Sequence, residues 1–297
     1  MRVFITGATG FIGSAVVPEL LNAGHDVVGL VRSRESAQAL GSAGAKPVLG
    51  DLNDLEGLSR EARSADAVIH TAFHHDFARL AESCLLDRLA IEAIGSALEG
   101  SGKPFVVTSG LPMTPGRIAT ENDAPPSGGM PRVSEQTAMS MIERGVRSVV
   151  IRMPQVHDET KQGFATYLLA HARKKGVSAY VGEGLNRWPA VHRLDAARLY
   201  RLALEQGAVG QRYHAVEEQG VPVREIAEAI GKGLGVPVVS LGAETSADHF
   251  AWLDRIAQMD VPASSDVTQE VLGWRPKEGA GFLADLAVAA GNGIVRP

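Results

Sequence analysis

Gly7, Gly10 and Gly13, set three apart in "TGATGFIG", are the first residues of this chain whose type and spacing imply chemistry. Gly7 permits a tight turn. Gly10 lets the backbone approach a pyrophosphate, and Gly13 lets the next helix pack close to the sheet. That helix then aims free N–H groups and the positive end of its dipole at the phosphates. Thr9, Phe11 and Ile12 complete the loop and join the glycines as candidate cofactor-binding residues. A plain tight turn is the alternative. The order of strand, glycines, helix and second strand favours a dinucleotide cradle.

The second strand ends "GLVRSRES". NAD sites usually carry an acid here for the ribose 2′-hydroxyl, whereas this chain has Arg32, Ser33 and Arg34. A guanidinium can stack on adenine and hold a 2′-phosphate bidentately. Each charge-assisted bond contributes about 1.5–3 kcal/mol. The expected cofactor is therefore NADP, with Arg32 and Ser33 as its ligands and NAD left open. A solvated basic helix start is the other reading. Asp51 and Leu52, after the third strand, are placed to touch the adenine edge, and Asp51 could equally cap the following helix.

The elements that must position these residues alternate between two periods. "RVFIT", "DVVGLV", "AKPVLGD", "DAVIHTAF", "PFVVTSG" and "SVVIRMP" read as six strands. Between them "FIGSAVVPELLNAG", "ESAQALGSAG", "LEGLSREARSA", the stretch Asp76–Glu99 and "SEQTAMSMIERG" read as helices. Such alternation implies right-handed crossovers and a parallel sheet covered on both faces. The fold class is α/β, a Rossmann-type doubly wound parallel sheet with a smaller C-terminal substrate-binding domain. Beyond Pro154 the pattern reads as helices, with strands at "QRYHAV" and "VPVVSL" and one helix at "SADHFAWLDRIAQM". The segment "GLPMTPGRIATENDAPPSGGMP" is a long Pro- and Gly-rich loop, a frequent active-site feature. His74 and His75 follow the fourth strand at the carboxyl edge, where open α/β sheets bind ligands. They are candidate substrate contacts, because histidine titrates near neutrality.

The bulk properties narrow the function. The chain has 297 residues, 45% hydrophobic and 21% charged, with a net charge of −5. That charge argues against a nucleic-acid surface. The single cysteine, Cys84, excludes an intrachain disulfide and a cysteine-based zinc site and suits a reducing cytoplasm. His70, His74 and His75 lack the carboxylate or cysteine pattern of a metal site, so no metal is expected. The N-terminus reads as a strand rather than a signal peptide, and no apolar run approaches the ~20 residues of a membrane span.

Taken together, "TGATGFIG", "GDLND", "VIHTAF", "VVTSG" and "LGWRP" resemble the short-chain dehydrogenase/reductase superfamily, in its extended or atypical branch of epimerases and dehydratases. The resemblance implies a Rossmann domain over about residues 1–155, return segments near 190–215, and a smaller substrate-binding region over 156–297. It implies cofactor contacts from Thr71, Ala72 and Phe73 after the fourth strand and from Pro154 after the sixth. In "RMPQVHD" the proline is displaced by one from the family's P-x-x-V-Y-G, which places His157 loosely in the nicotinamide pocket. In "NRWPAVHRLDAA", beside Arg187 and Arg193, Trp188 and His192 become substrate-binding candidates, and Asp195 reads as a helix N-cap. A homodimer through the helices Asp76–Glu99 and Ser134–Gly145 is a further expectation.

One family feature is missing. Members use a Ser, a Tyr and a Lys four residues later to move a proton as hydride moves. Ser109 matches the serine. The pair belongs in "GGMPRVSEQTAMS", yet no Tyr-x-x-x-Lys occurs anywhere in the chain. Arg132, Ser134 and Glu135 stand in that window, and Glu135 could act as a base or simply favour the helix dipole. The expected activity is NADP-dependent hydride transfer with a small carbonyl or hydroxyl compound. Ser109 would bond the substrate oxygen, and a histidine such as His157, a water or the Arg132–Glu135 window would supply the proton. An epimerase or dehydratase using the nicotinamide transiently, and a non-catalytic NADP(H) sensor, are the alternatives.

Overall fold

The computed structural model describes residues 1–125 and 131–292. Its main sheet is laid down by the period-two runs. Strands β1 (Arg2–Thr6), β2 (Asp26–Val31), β3 (Lys46–Leu49), β4 (Ala67–His70), β5 (Pro104–Gly110) and β6 (Arg147–Met153) alternate with helices. These are α1 (Gly13–Asn22), α2 (Arg34–Ser42), α3 (Leu55–Ser64), α4 (Leu80–Leu98) and α5 (Ser134–Ser140). The strand order is β3-β2-β1-β4-β5-β6, parallel throughout. A seventh strand, β10 (Arg212–His214), returns from the second half of the chain to pair parallel with β6. The order reverses at β1, between β2 and β4, and that reversal opens a crevice at the carboxyl edge of the sheet.

Both faces of the sheet are covered. Val16, Val17 and Leu20 of α1, Leu40 of α2 and Leu199 and Leu204 of α7 (Arg193–Gln206) bury one face with Val3 and Ile5. Leu58 of α3 and Ile91, Ile94 and Leu98 of α4 bury the other with Phe4 and Phe105.

The second lobe is built on two small sheets. One holds β7 (Gln155–His157), β9 (Arg187–His192) and β11 (Glu218–Pro222), and the other pairs β8 (Ser178–Val181) with β12 (Val238–Leu241). Helices α6 (Ala165–Lys175), α8 (Val223–Leu234), α9 (Ala243–Phe250), α10 (Asp254–Ala257) and α12 (Phe282–Gly291) surround them, with Trp188, Ile226, Phe250 and Phe282 in a core of their own.

Three expectations from the sequence change here. "SADHFAWLDRIAQM" is not one helix, because Ala251 (φ 51°, ψ −123°) breaks it between α9 and α10. Strands β7, β8, β9 and β11 go beyond what the residue pattern implies. Asp195 does not cap α7, since His192 holds the N-cap. Asp195 instead lies in the first turn, where its carboxylate accepts the N–H groups of Lys277 and Glu278. Its carbonyl accepts the indole of Trp274 at 3.0 Å. The "LGWRP" turn after α11 (Asp266–Leu272) is thereby fastened to the helix that covers the main sheet.

Candidate cofactor and substrate site

The glycine loop has the geometry its spacing implies. Gly7 sits at φ 73°, and a Cβ there would meet Thr71 Oγ1 at 2.7 Å and the Ala72 nitrogen at 2.8 Å. The chain leaving β4 thus crosses directly over the turn. A Cβ on Gly13 would lie 2.0 Å from the Gly7 carbonyl oxygen, so α1 starts hard against the loop. No side chain caps α1, and its first turn carries no acid. The N-terminal N–H groups of a helix have no partners inside it, and here no carboxylate competes for them. An anion suits that cradle. Thr9 and Gly10 are exposed, while Phe11 and Ile12 are half-buried at its rim.

At the adenosine end Arg32 and Arg34 are exposed and no acid ends β2. Ser33 caps α2, accepting the N–H of Ser36 at 3.1 Å. Asp51 accepts the N–H of Asn53 at 2.7 Å. It does not cap α3; Asp54 does, through the N–H of Gly57 at 2.9 Å. Leu52 is turned into the core with Phe4 and Leu58, so its side chain cannot line an adenine edge.

Beyond the cradle, two arms of hydrogen bonds converge on one buried carboxylate, Asp87 of α4. On the first arm the N–H of Ala72 faces Thr6 Oγ1 at 3.4 Å, and Thr6 Oγ1 lies 2.8 Å from His70 Nδ1. His70 Nε2 lies 3.2 Å from Asp87. On the second arm Arg132 Nε donates to Ser134 Oγ at 2.8 Å, and Ser134 Oγ donates to Asp87 at 2.5 Å. Burial pushes the Asp87 carboxyl up, but His70, Arg132 and Ser134 together hold it below the usual range. The carboxylate therefore stays charged and fixes both walls of the crevice.

Arg132 is the residue these bonds aim. Its Nη2 donates to the Thr108 carbonyl at 3.1 Å, and its guanidinium lies 4.2 Å from the centre of the Phe73 ring. It is thus fastened to the strand that carries Ser109, the next residue. Ser109 is half-exposed at the carboxyl end of β5. Thr108 is held from behind by Tyr200, whose hydroxyl lies 2.6 Å away. Burial raises the Tyr200 pKa far above the usual phenol range, so it remains a neutral brace. Phe73 and His74 are half-buried and His75 exposed at the same edge, and Pro154 is half-buried where β6 passes into β7. Thr71 bonds back to the Thr6 carbonyl at 2.8 Å, holding its own loop.

Four residues that the sequence nominates for the site lie outside it. Glu135 is buried and chelated by Arg152 at 2.7 and 2.8 Å, and Arg212 also donates to it. A carboxylate so paired is structural and cannot serve as the base. His157 is fully buried, with Nδ1 2.7 Å from Asp285 and Nε2 without a partner among the described residues. It reaches no open space, so the catalytic assignment fails. Trp188 lies in the core of the second lobe, its indole donating to the Met259 carbonyl at 3.2 Å. His192 caps α7 and packs edge-on against His157, so neither it nor Trp188 lines the crevice. Part of the window for the missing Tyr–Lys pair, Gly128 to Met130, lies outside the described residues.

Asp87 is a part of the site that sequence reasoning misses, whereas Ser134 lies in the window that the sequence names and is here bonded between Arg132 and Asp87. The usable signal was an acid on the apolar stripe of α4, between Cys84 and Ile91. Among the described residues no His, Cys, Asp and Glu cluster could hold a metal, and no helix is long and apolar enough to cross a membrane. A 520 Å³ depression bounded by Leu55, Glu56, Ser59, Arg60 and Arg63 lies on α3, away from Ser109 and Arg132.

Comparison with known proteins agrees with the fold and with a dinucleotide-binding first half. The profile of the NAD(P)H-binding family matches residues 7–179. The chain is 46% identical to an uncharacterized protein of Schizosaccharomyces pombe over 97% of this chain and 98% of that one. It is 28% identical, over 75% of this chain and 74% of the other, to a decarboxylating sterol-4-alpha-carboxylate 3-dehydrogenase of Dictyostelium discoideum. A dTDP-glucose 4,6-dehydratase from Streptomyces venezuelae, solved with NAD bound, superposes with a TM-score of 0.78 over 99% of this chain and 97% of that one, at 20% identity.

Proposed function

We propose a carbonyl reductase for this chain, which belongs to the NAD(P)H-binding family within the extended short-chain dehydrogenase/reductases. The observation that carries the reading is Arg132, tied to the Thr108 carbonyl beside the half-exposed hydroxyl of Ser109. Two donors of different kinds thus border the point where a substrate oxygen would lie. The sterol relative, named a dehydrogenase, favours net redox chemistry over transient use of the cofactor.

The fit of the cofactor rests on the cradle. Gly7 and Gly13 allow close contacts of the turn with the β4 exit and with the start of α1 that a Cβ would break, Gly10 is exposed at the turn, and α1 presents unpartnered N–H groups. Arg32, with no acid to oppose it at the end of β2, would hold the 2′-phosphate of NADP. Ser33 keeps its cap and supplies a second contact. When bound, the reduced nicotinamide supplies hydride to the carbonyl carbon. Ser109 donates a hydrogen bond to the carbonyl oxygen. Arg132 stabilises the negative charge that builds there, in the way preorganised donors do at oxyanions. Because a guanidinium keeps its protons near neutrality, the oxygen takes its proton from water at the open side of Ser109. The product is the alcohol. Asp87 and Ser134 hold Arg132 without touching substrate.

The test begins with calorimetry against NADPH and NADH, followed by absorbance of NADPH with a panel of aldehydes and ketones. Arg32→Ala should weaken NADPH binding about tenfold, the loss of one charge-assisted bond, and leave NADH binding nearly as it was. Equal losses for both cofactors would remove the 2′-phosphate assignment. Tight binding with no turnover on any carbonyl would remove the reductase.

A further inference from the structure

Arg193 is the first residue of α7, and a cation at that position opposes the helix dipole. Its guanidinium has few partners inside the protein. Nε lies 3.1 Å from Asp158 Oδ2, yet it is a buried N–H that donates no hydrogen bond. Among the described residues neither Nη nitrogen donates one either. Asp195, two residues on, is already taken by Arg198 and by the N–H groups of Lys277 and Glu278. Asp158 uses Oδ1 for Thr160 and for the N–H of Lys161. The Arg193 side chain stays 29% exposed, so its fork is open to an incoming anion.

One contact and one register place that fork. The guanidinium carbon lies 5.1 Å from the centre of the Phe11 ring, within cation–π range. Phe11 belongs to the glycine loop, and the N–H groups of Phe11 and Ile12 have no partner among the described residues. The helices give the same position independently. α1 and α7 lie side by side. They run parallel, because Arg201 bonds Glu19 at 2.7 Å and Glu205, further along α7, meets His25 just past the end of α1 at 2.9 Å. Eight residues before Glu19 and Arg201, about two turns, stand Phe11 and Arg193. The contact of Arg193 with Phe11 thus continues the register of the ion pairs. Arg193 stands level with the open N-terminus of α1.

We propose that Arg193 binds the pyrophosphate of the dinucleotide and bridges it to Asp158 of the second lobe. The planar fork suits phosphate oxygens, and its Nη side is the one left unpaired. Both nicotinamide dinucleotides carry a pyrophosphate, so this contact adds affinity without choosing between them, unlike Arg32. Strand β9 runs directly into α7, and Asp158 follows β7. The bound cofactor therefore ties the second lobe to the first. This assignment rests on the dinucleotide reading and not on the reductase, so its test needs no turnover.

Calorimetry at low and high salt compares NADPH, NADH and adenosine 2′-phosphate, which lacks the pyrophosphate. Arg193→Gln should weaken both dinucleotides about tenfold, the loss of one charge-assisted contact. It should leave adenosine 2′-phosphate as it was and flatten the dependence on salt. Asp158→Asn keeps the acceptor for Thr160 and Lys161 and frees the guanidinium, so both dinucleotides should bind at least as tightly as to the native protein. A merely structural ion pair gives equal losses in the two variants. That result, unchanged affinities in Arg193→Gln, or a loss confined to NADPH overturns the assignment and leaves the cradle standing. Should Arg193→Gln not fold, Arg193→Lys takes its place: a several-fold loss shared by both dinucleotides supports the fork, and unchanged affinity overturns it. If the native protein binds neither dinucleotide, the cradle falls and the assignment with it.

Discussion

At the scale of single residues, the proposed reaction uses the Arg132 guanidinium in place of the Tyr–Lys relay that the family resemblance implies. A tyrosine in that role must lose and regain a proton, so its activity follows its pKa. The proposed value of Arg132 lies in placement: with Nε on Ser134 and Nη2 on the Thr108 carbonyl, Nη1 has no hydrogen-bond partner among the described residues and is the atom offered to substrate. Arg132→Met should therefore lower kcat/KM about 10²-fold, the usual cost of one oxyanion donor. Arg132→Lys should not recover it, because an ammonium cannot reproduce the fork. Ser134→Ala should cost about tenfold through loss of aim. Ser134→Thr, which keeps the hydroxyl, should restore most of the rate, an outcome that a merely packed side chain would not give. Steady-state kinetics on one aldehyde measures all four. Equal rates for Ser134→Ala and the native protein would separate the buried carboxylate from the reaction.

At the scale of elements, the cradle depends on how closely α1 meets the turn after β1. Gly13→Ala puts a methyl 2.0 Å from the Gly7 carbonyl oxygen, which is backbone and cannot swing aside. The helix must retreat, at about 1–3 kcal/mol for such overpacking, and the amides that face the pyrophosphate retreat with it. Calorimetry should show weaker binding of both NADPH and NADH, beside a lower midpoint in urea. Retained affinity would mean that the phosphates lie elsewhere. This element is fully legible in the residue pattern, because glycine spacing and the change from period two to 3.6 are local signals. The second lobe is not. Strand β9 contains Pro189, which reads as a break, but the register of its partner β11 shifts between Glu218 and Val221. At such an irregularity no ladder donor is needed from the proline. Strand β7 has only three residues and offers no period to count. The helix expected through Ala251 fails where the backbone turns to positive φ, a local cost of about 1–3 kcal/mol set against the packing of its neighbours, Phe250 and Leu253 in the second-lobe core and Trp252 on Phe77. Asp87 and Ser134 meet only through tertiary folding, so local pattern marks the window that holds Arg132 and Ser134 but not the buried carboxylate that fixes them.

At the scale of the whole molecule, buried histidines that must stay neutral tie stability to pH. His214, on the returning strand β10, bonds the Ser264 carbonyl at 2.8 Å and faces Arg152 at 3.2 Å. Burial lowers its pKa first, and Arg152 adds to the fall against the opposing pull of Ser264 and Asp123, to about 4. His157, between β7 and α12, is lowered as well, by burial ahead of the opposing pull of Asp285. The two sites lie in different lobes, and both act in the same direction. In the unfolded chain a histidine titrates near 6.5. Between roughly pH 6.5 and 4 the unfolded state holds a proton that folded His214 does not, so stability rises with pH across that window. The contribution is complete above the unfolded value and is lost as acid is added. From His214 alone the loss between about pH 8 and about pH 5 should be roughly 2 kcal/mol, approaching about 3 below pH 4. Urea midpoints should fall accordingly, and the stretch from about pH 8 to about pH 5 reads the histidines because most carboxylates titrate below it. His214→Gln should lower stability near pH 8, because the Ser264 and Arg152 bonds weaken, yet flatten the slope toward acid. An unchanged slope in that variant would place the acid sensitivity in His157 and the seam between the lobes, with β10 a bystander.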